Sequence, residues 1–563
     1  MLCSARSFSG ALGLAVASFF GVAAAALAQT PLPPSIEPGR IQERVTPPPA
    51  PPRGVELPEF KGGPSEALPD AVRSVKVTLK DVRIVGATAL PIEQLQAQTG
   101  RYVGREITGA EIFELARALT AMYRNAGYIL SQVIVPPQSL SGGTLTLRVI
   151  EGYIANVRIE GDPGVAATLA EIGEKIKASR PLKAGDLERY LLIANNLPGV
   201  QLRSVLAPSQ TVGAADLTLI ATVKKTEGFV SLDNFGSKYL GPGQLSAGIA
   251  GNQLFGDDQL SLLGVGASDS EMAFGQLSYS RVLNSEGLRL GAIASQANTK
   301  PGDILKPYDI TGRADSATLI AAYPFLRTRN ESLFGRALYD HRNVTSDVLD
   351  TRVMEDRIRA LRLGATWIAL DRLDGSNTLD VEWSKGLGGT DAGDPLESRA
   401  GADGRFSKTT FDYERFQPIG ARYGLTLGAG GQWTDDLMFA SEQFALGGRR
   451  FGRAYDPAEL VGDRALAFRM ESDYFGAGSG GLDSYQMYGF YDVGKVWNVK
   501  DPTTGTTYSQ SLASAGFGTR LAFGRNVTAV LEAGFPLTKP VASYQTGGQG
   551  YDVRIHASLV ARF

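Results

Sequence analysis

The chain reads as a mainly β protein, a sixteen-stranded antiparallel transmembrane β-barrel preceded by two small α/β units. Three observations carry that reading. Beyond about residue 225, apolar and polar residues alternate in stretches of about 10–13 residues, long enough for a tilted strand to cross a bilayer. The connections between these stretches largely alternate short and long, as they do when turns lie on one side of a membrane and loops on the other. After the N-terminus, no window approaches the ~18–20 consecutive apolar residues of a spanning helix, so only strands can return the chain to a membrane.

In chain order, Arg6 is the only charge before an apolar run from Ala11 to Ala26, and Ala26-Leu27-Ala28 precedes Gln29. This pattern predicts a secretory signal peptide over 1–28, cleaved after Ala28. The single cysteine, Cys3, falls inside it, so the mature chain would have no disulfide, thiol nucleophile or cysteine metal site. Residues 29–74 form a Pro-rich segment, with Pro31, Pro33, Pro34, Pro38 and Pro47–Pro49 among its prolines. Such a run favours extended polyproline geometry that packs no core, with at most a short helix around Ile41–Arg44.

The next two stretches, 75–151 and 152–224, repeat one another. Val82-Arg-Ile84-Val-Gly86 and Val157-Arg-Ile159-Glu-Gly161 share V-x-I-x-G about 75 residues apart. In the first copy, Thr108-Gly-Ala-Glu111 predicts a capping box opening a helix with Ile112, Leu115, Leu119 and Tyr123 on one face, closed by Gly127. Strands follow at 128–135 and 144–151. The second copy predicts a strand at 153–161, helices near 165–178 and 186–195, and strands near 200–207 and 216–223. Each unit is a small sheet with helices and an edge able to accept another strand.

From 225 to 563 the predicted strands lie near 226–236, 243–254, 257–267, 271–282, 286–298, 314–325, 331–342, 356–368, 375–387, 404–416, 421–434, 464–475, 483–496, 512–523, 526–535 and 552–563. Short connections such as 255–256 and 283–285 contrast with long ones at 299–313, 343–355, 388–403 and 435–463. Within a strand the faces differ. Leu466, Phe468, Met470 and Tyr474 alternate with Arg469, Glu471 and Asp473, placing charge in a wet lumen and apolar groups against lipid. The chain ends on an amphipathic strand closing with Phe563, which resembles the terminal signal read by the barrel-assembly machinery.

With 56 basic and 58 acidic residues, the net charge of −2 gives no field for nucleic acid. The only histidines, His341 and His556, lie far apart on predicted strands and read as structural. The carboxylates Asp340, Glu382 and Asp473 read as lumen lining. No phosphate-binding loop of the G-x-x-x-x-G-K-[ST] type occurs, and nothing calls for a catalytic residue, metal or cofactor.

One stretch departs from this alternation. Leu446–Asp463 is Gly-rich and carries Arg449, Arg450 and Arg453, too polar for a core and too long for a hairpin turn. The strand-like Phe490-Tyr-Asp-Val-Gly494 follows one hairpin later. Together with the order of units, these residues resemble the outer-membrane transporters of two-partner secretion, the haemolysin and filamentous-haemagglutinin group of the barrel-assembly superfamily. The resemblance implies two polypeptide-transport-associated (POTRA) domains before the barrel. It also implies that the sixth external loop, 435–463, folds into the lumen. In that family a Val-Arg-Gly-Tyr/Phe motif pairs its Arg with the Asp of a Phe-x-Asp-x-Gly motif on the thirteenth strand. Here the matching positions are Gly452, Arg453, Ala454 and Tyr455, facing Phe490, Asp492 and Gly494. Gly452 stands where the family has Val, and Ala454 where it has Gly; Arg449 and Arg450 are alternative partners for Asp492.

The resemblance further implies an outer-membrane protein with periplasmic POTRA domains that bind an unfolded, haemolysin- or adhesin-like secreted partner and pass it through the barrel. Outer-membrane lipid and the machinery that inserts barrels are its other partners. An insertase of other outer-membrane proteins, or a diffusion porin, is the alternative reading.

Overall fold

The computed structural model describes residues 33–45, 73, 75–500, 505–538 and 553–563. The expected signal peptide and the remainder of the Pro-rich segment lie outside the described residues. Sixteen antiparallel strands, from Thr226–Asp233 to Arg554–Arg562, form a closed barrel. The first and last pair from Ser558↔Asp233 to Arg562↔Phe229. Beyond that register the main chain of Phe563 exchanges bonds of 3.0 and 3.1 Å with Gly228. All sixteen stretches expected from alternation are strands, because every lipid-facing position must be apolar while its neighbours face the lumen. Leu466, Phe468 and Met470 point outward; Glu471 and Asp473 are buried on the inner side.

The connections differ in two places. The stretch 343–355, expected as a long loop, is a continuation of the strands Glu331–Val348 and Thr351–Leu370, joined by a tight turn at Leu349-Asp350 with φ of 48° and 59°. The strand Ile310–Arg327 likewise begins inside the expected loop 299–313. Outside the bilayer the backbone ladder continues without apolar alternation, so composition there gives no warning of a strand.

Ahead of the barrel stand two α/β units. In the first, Thr144–Ile150 is the central strand, parallel to Asp81–Val85 and antiparallel to Gln132–Ile134. Helices Ile92–Thr99 and Gly109–Asn125 cover the sheet. Thr108 Oγ1 accepts from the Glu111 amide at 3.3 Å while Glu111 Oε2 accepts from the Thr108 amide at 2.7 Å, closing the capping box. The second unit repeats the arrangement with Tyr153–Gly161 parallel to the central Ala214–Val223, and Val200–Pro208 antiparallel on its other side. The glycine shared by both copies has a physical reason. Gly86 and Gly161 take φ of 86° and 103°, and a Cβ at Gly86 would lie 2.6 Å from the Val149 carbonyl oxygen, at Gly161 closer still to that of Ala221.

The second unit is seated on the periplasmic turns of the barrel. Arg189 donates to the Pro324 carbonyl at 3.2 Å, and Glu286 receives Tyr190 Oη at 3.0 Å and Lys175 Nζ at 3.0 Å. Gln253 donates to the Pro198 carbonyl at 2.9 Å, and Val282 joins the second unit's apolar core.

One expectation fails outright. Part of the Pro-rich segment does pack: short 3-10 turns at Pro34–Ile36 and Pro38–Arg40 lead into a helix at Ile41–Val45 inside the lumen. Ile36 and Ile41 are buried with Phe274, Ala297, Ile310, Val344 and Met354. A proline-rich segment cannot make a core by itself, but a closed barrel supplies the opposing wall.

In the first unit Glu151 receives the Thr88 and Ala89 amides at 2.7 Å each, the Thr88 hydroxyl, and Tyr123 Oη at 3.1 Å. Partial burial pushes this carboxyl up, but the hydrogen bonds from Thr88, Ala89 and Tyr123 outweigh it and hold the group below the usual carboxylate range. A depressed folded value stabilises above the unfolded value of about 4.3 and loses that stabilisation as pH falls further. Hydrogen exchange in Gly109–Asn125 of the full chain, corrected for intrinsic rates, is therefore expected to quicken below about pH 4. Glu151→Gln should flatten that step.

Candidate functional site

Between the eleventh strand (Tyr423–Thr434) and the twelfth (Arg464–Ala477), residues 435–463 fold inward rather than out. The root of this loop is a 3-10 turn, Ala440–Glu442, and a short hairpin pairing Phe444–Leu446 with Leu460–Gly462. Its apolar side chains Leu446, Phe451, Ala454, Tyr455 and Leu460 pack on Ala465, Ala467, Val496 and Leu512 of the wall. Gly494 permits the approach: a Cβ there would sit 2.7 Å from Leu446 Cδ2. At the tip, Gly452 takes φ of 90° and turns Arg453 toward the thirteenth strand, Ser484–Trp497. Ala454 is outside the left-handed region, and its methyl packs against Gly534. The left-handed glycine thus sits one place before Arg453, and Ala454 fits without strain.

Arg453 meets Asp492 through a two-bond fork, Nε to Oδ2 at 3.1 Å and Nη2 to Oδ1 at 3.0 Å. Asp492 Oδ2 also accepts the amides of Gly452 at 3.2 Å and Arg453 at 3.1 Å, and the Ser514 hydroxyl at 3.3 Å. The guanidinium lies over the Phe490 ring with 3.6 Å to the centroid. Phe490 thereby covers one face of the guanidinium while the carboxylates meet its edge. Tyr455 Oη donates to the Ala513 carbonyl at 2.9 Å and accepts the Thr538 amide at 3.1 Å, pinning the far side of the tip. The alternative arginines go elsewhere: Arg450 pairs with Asp412, and Arg449 stacks over Phe235 at 4.3 Å.

The pair is part of a larger network that the motifs did not announce. Arg453 Nη1 also reaches Glu471 at 2.7 Å and Glu532 at 3.5 Å, so three carboxylates surround one guanidinium. Arg520 balances the excess at 2.6 Å from Glu471, and Tyr488 Oη donates to Glu532 at 2.9 Å. His556 contacts the Arg453 carbonyl at 3.0 Å. Only register brings these groups, from the twelfth to the sixteenth strands, to one depth. Their lumen-facing parity is legible, but their height is not.

A second buried cluster holds the root of the loop. Glu442 receives Arg362 at 2.7 Å and Lys408 at 2.8 Å, and Arg362 is shared with Asp340 at 3.0 Å. Just beside it the lumenal N-terminal segment is attached. Arg40 donates to the Gln443 carbonyl at 2.9 Å and to the Ala440 carbonyl, while Arg342 donates to the Gly39 carbonyl at 3.4 Å. Of the other carboxylates expected to line the lumen, Glu382 pairs with Arg336 at 3.0 Å and Asp473 accepts from Gln486 at 2.7 Å. Among the described residues no group of three or more His, Cys, Asp or Glu could hold a metal ion.

Arg453→Ala strands three buried carboxylates. Breaking such a pair costs about 3–5 kcal/mol, enough to unseat the tip while the barrel stays closed. The expected result is protease cleavage within 446–463 and raised conductance in planar bilayers. Exchanging the charges, Arg453→Asp with Asp492→Arg, should not restore the wild-type values. An aspartate at 453 would face Glu471 and Glu532, and an arginine at 492 cannot accept the two loop amides. Asp492→Asn, which keeps one acceptor oxygen, should be milder than Asp492→Ala in both measurements.

Comparison with known proteins bears on this arrangement. Residues 77–152 match the POTRA domain, ShlB-type, and residues 218–521 match the haemolysin secretion/activation protein ShlB/FhaC/HecB. The heme/hemopexin transporter protein HuxB of Haemophilus influenzae is 24% identical over 466 residues, covering 80% of this chain and 82% of its own. The outer membrane transporter CdiB of Dickeya dadantii is 23% identical over 494 residues, with coverage of 84% and 85%. The solved structure of CdiB from Escherichia coli shares the fold, with a TM-score of 0.70 at 21% identity over 90% of this chain and 93% of that one. Since the family match spans more than half of the 563 residues, the chain belongs to the haemolysin secretion/activation ShlB/FhaC/HecB family, the outer-membrane transporters of two-partner secretion.

Proposed function

We propose that this transporter captures one unfolded secreted protein on its periplasmic units and passes it through the barrel, with the lumenal loop and the N-terminal segment giving way. The observation that carries the reading is how the lumen is filled. Among the described residues its occupants, 33–45 and the loop 435–463, are held by charged and polar contacts beside small, separate apolar clusters. Arg40 ties the segment to the loop root, Arg342 ties it to the wall, and Glu442 and Arg453 tie the loop to the wall; no strand of either occupant joins the barrel ladder. Such contacts can be exchanged for those of a passing polypeptide or for water. A continuous apolar core could not be exchanged in this way.

At the periplasmic side the sheets of both units end in strands with one neighbour only. Among them Val200–Pro208 pairs with Ala214–Val223 and exposes Val205. An extended segment can add to such an edge by main-chain hydrogen bonds, with little demand on its sequence. With no nucleotide-binding motif in the chain, folding of the partner outside the cell supplies the direction of movement.

Deleting the gene and comparing secreted and outer-membrane proteomes tests the reading. Loss of one large secreted protein is expected. General loss of outer-membrane barrels would instead indicate insertase activity, and an unchanged pair of proteomes would contradict both. A second measurement addresses the occupant of the lumen. A Cβ at Gly39 would sit 2.7 Å from Ser441 Cβ, so Gly39→Val should push the segment off the loop root. Higher single-channel conductance is expected, with the folded barrel's heat-modifiable migration retained.

A further inference from the structure

We propose that the lumenal segment 33–45 is latched to the barrel by one proton shared between Glu37 and Asp356 of the eighth strand, Thr351–Leu370, and that losing this proton loosens the segment from the wall. The latch presupposes that the segment gives way to a passing polypeptide, as proposed above. Glu37 joins the 3-10 turns Pro34–Ile36 and Pro38–Arg40, next to Ile36, which is buried in one cluster with Val344 and Met354 of the wall. A Cβ placed on Gly39 would lie 3.0 Å from Val344 Cγ2 and 3.4 Å from Glu37 Oε1, so the carboxylate sits over Val344. Val344 pairs across the ladder with Asp356, and both are fully buried on the lumenal side. Facing residues of such a pair have their Cβ atoms about 5 Å apart. Of the charged groups around Glu37, Asp356 acts on it most strongly.

Both carboxylates are incompletely met. Asp356 Oδ1 accepts the Ser398 amide at 2.9 Å, but Oδ2 is buried without a hydrogen-bond partner among the described residues. Glu37 is 8% exposed, and its Oε1 is likewise buried and unpartnered. The cations nearby are committed elsewhere. Arg40 gives both terminal nitrogens to the Gln443 and Ala440 carbonyls, and Arg342 serves the Gly39 carbonyl, Asp340 at 3.4 Å and Glu442 at 3.7 Å. From the loop 388–403, Asp356 meets the further negative charges of Asp394 and Glu397, while Arg399 of that loop is committed to Asp463. One proton between Glu37 and Asp356 makes a donor and an acceptor of two bare oxygens and removes one of two like charges.

Glu37 lies on the lumenal segment and not on a spanning strand. Burial, then the charge of Asp356, push its carboxyl up to about 7, against the pull of Arg40, the Gly39 amide and Arg342. Released into water, the same group has the value of an ordinary glutamate, about 4.3. A group raised in the seated state stabilises that state fully below the released value and loses the contribution as pH rises through the seated one. Above about pH 7 the proton passes to water and the pair carries two negative charges. The segment is then held only by Arg40, Arg342 and its apolar contacts. A metal ion in place of the proton would need more donors, and among the described residues no group of three or more His, Cys, Asp or Glu could hold one.

The full chain in planar bilayers tests the latch, with the ratio of open to closed time as readout. This ratio is expected to rise with pH between about 4.3 and about 7, by up to about tenfold per unit, and to level off above. Glu37→Gln, whose amide can donate to Asp356 Oδ2 as the shared proton does, should stay mostly closed across that range. Asp356→Asn should flatten the rise from the other side, and Glu43→Gln, at an exposed carboxylate of the same segment, should keep it. A ratio that is flat or falls with pH overturns the proposal, as does a full rise in Glu37→Gln or a ratio set by calcium at constant pH. If pH has no effect while Gly39→Val still raises conductance, the segment closes the pore without a proton; the latch then falls and the proposed function stands. Should Glu37→Gln fail to fold, judged by heat-modifiable migration, Asp356→Asn gives the same comparison.

Discussion

Arg453 is shared among Asp492, Glu471 and Glu532 inside a closed barrel, and the position of the entire sixth loop follows from that sharing. Burying a guanidinium is tolerable only where its donors are met, and here the fork, the Nη1 contact and the Phe490 face meet them. The reverse dependence holds as well. Asp492 is fully buried and accepts two loop amides besides the side chain, so the wall is as incomplete without the loop as the loop is without the wall. Gly452 and Gly494 are what allow the two backbones to come close enough.

The loop root follows the same logic at a second place. Glu442 gathers Arg362 and Lys408 from strands far apart in sequence, and the neighbouring carbonyls of Ala440 and Gln443 receive Arg40. Loop and N-terminal segment are therefore attached at one site, although about 400 residues of chain separate them. Apolar packing contributes locally, at Ile36 and Ile41 against the wall, but it does not run through the lumen as a single core. A pore that must be filled at rest and emptied in use favours contacts of this kind, strong when satisfied and replaceable by water or a polar backbone.

Outside the lumen the barrel is constrained from its two ends. Glu286 and the carbonyls of Pro324 and Pro198 fasten the second α/β unit to the periplasmic turns, and Val205 on its outer strand stays exposed. At the other end the long strands carry their ladder past the apolar band, exposing polar rows to the headgroup region and beyond it.

What the sequence determined by itself was the sixteen strands and the repeated α/β units, each by a local rule: period-two alternation imposed by lipid, and a glycine demanded by a carbonyl at Gly86 and Gly161. That Arg453 faces Asp492 was implied by the resemblance of their two motifs to a family, with Arg449 and Arg450 as alternatives that the structure sends elsewhere. Tertiary structure alone decided the rest. Glu471, Glu532 and Arg520 have the same parity as many other lumen residues, and only the register of five strands sets them at the height of Arg453. Residues 33–45 become a packed segment only inside a wall built by residues 226–562, and the hairpin at Leu349-Asp350 persists through backbone pairing that leaves no mark in hydropathy. Alternation reports which side of a strand a residue occupies. Depth and partner depend on closure of the barrel, which belongs to no single segment of the chain.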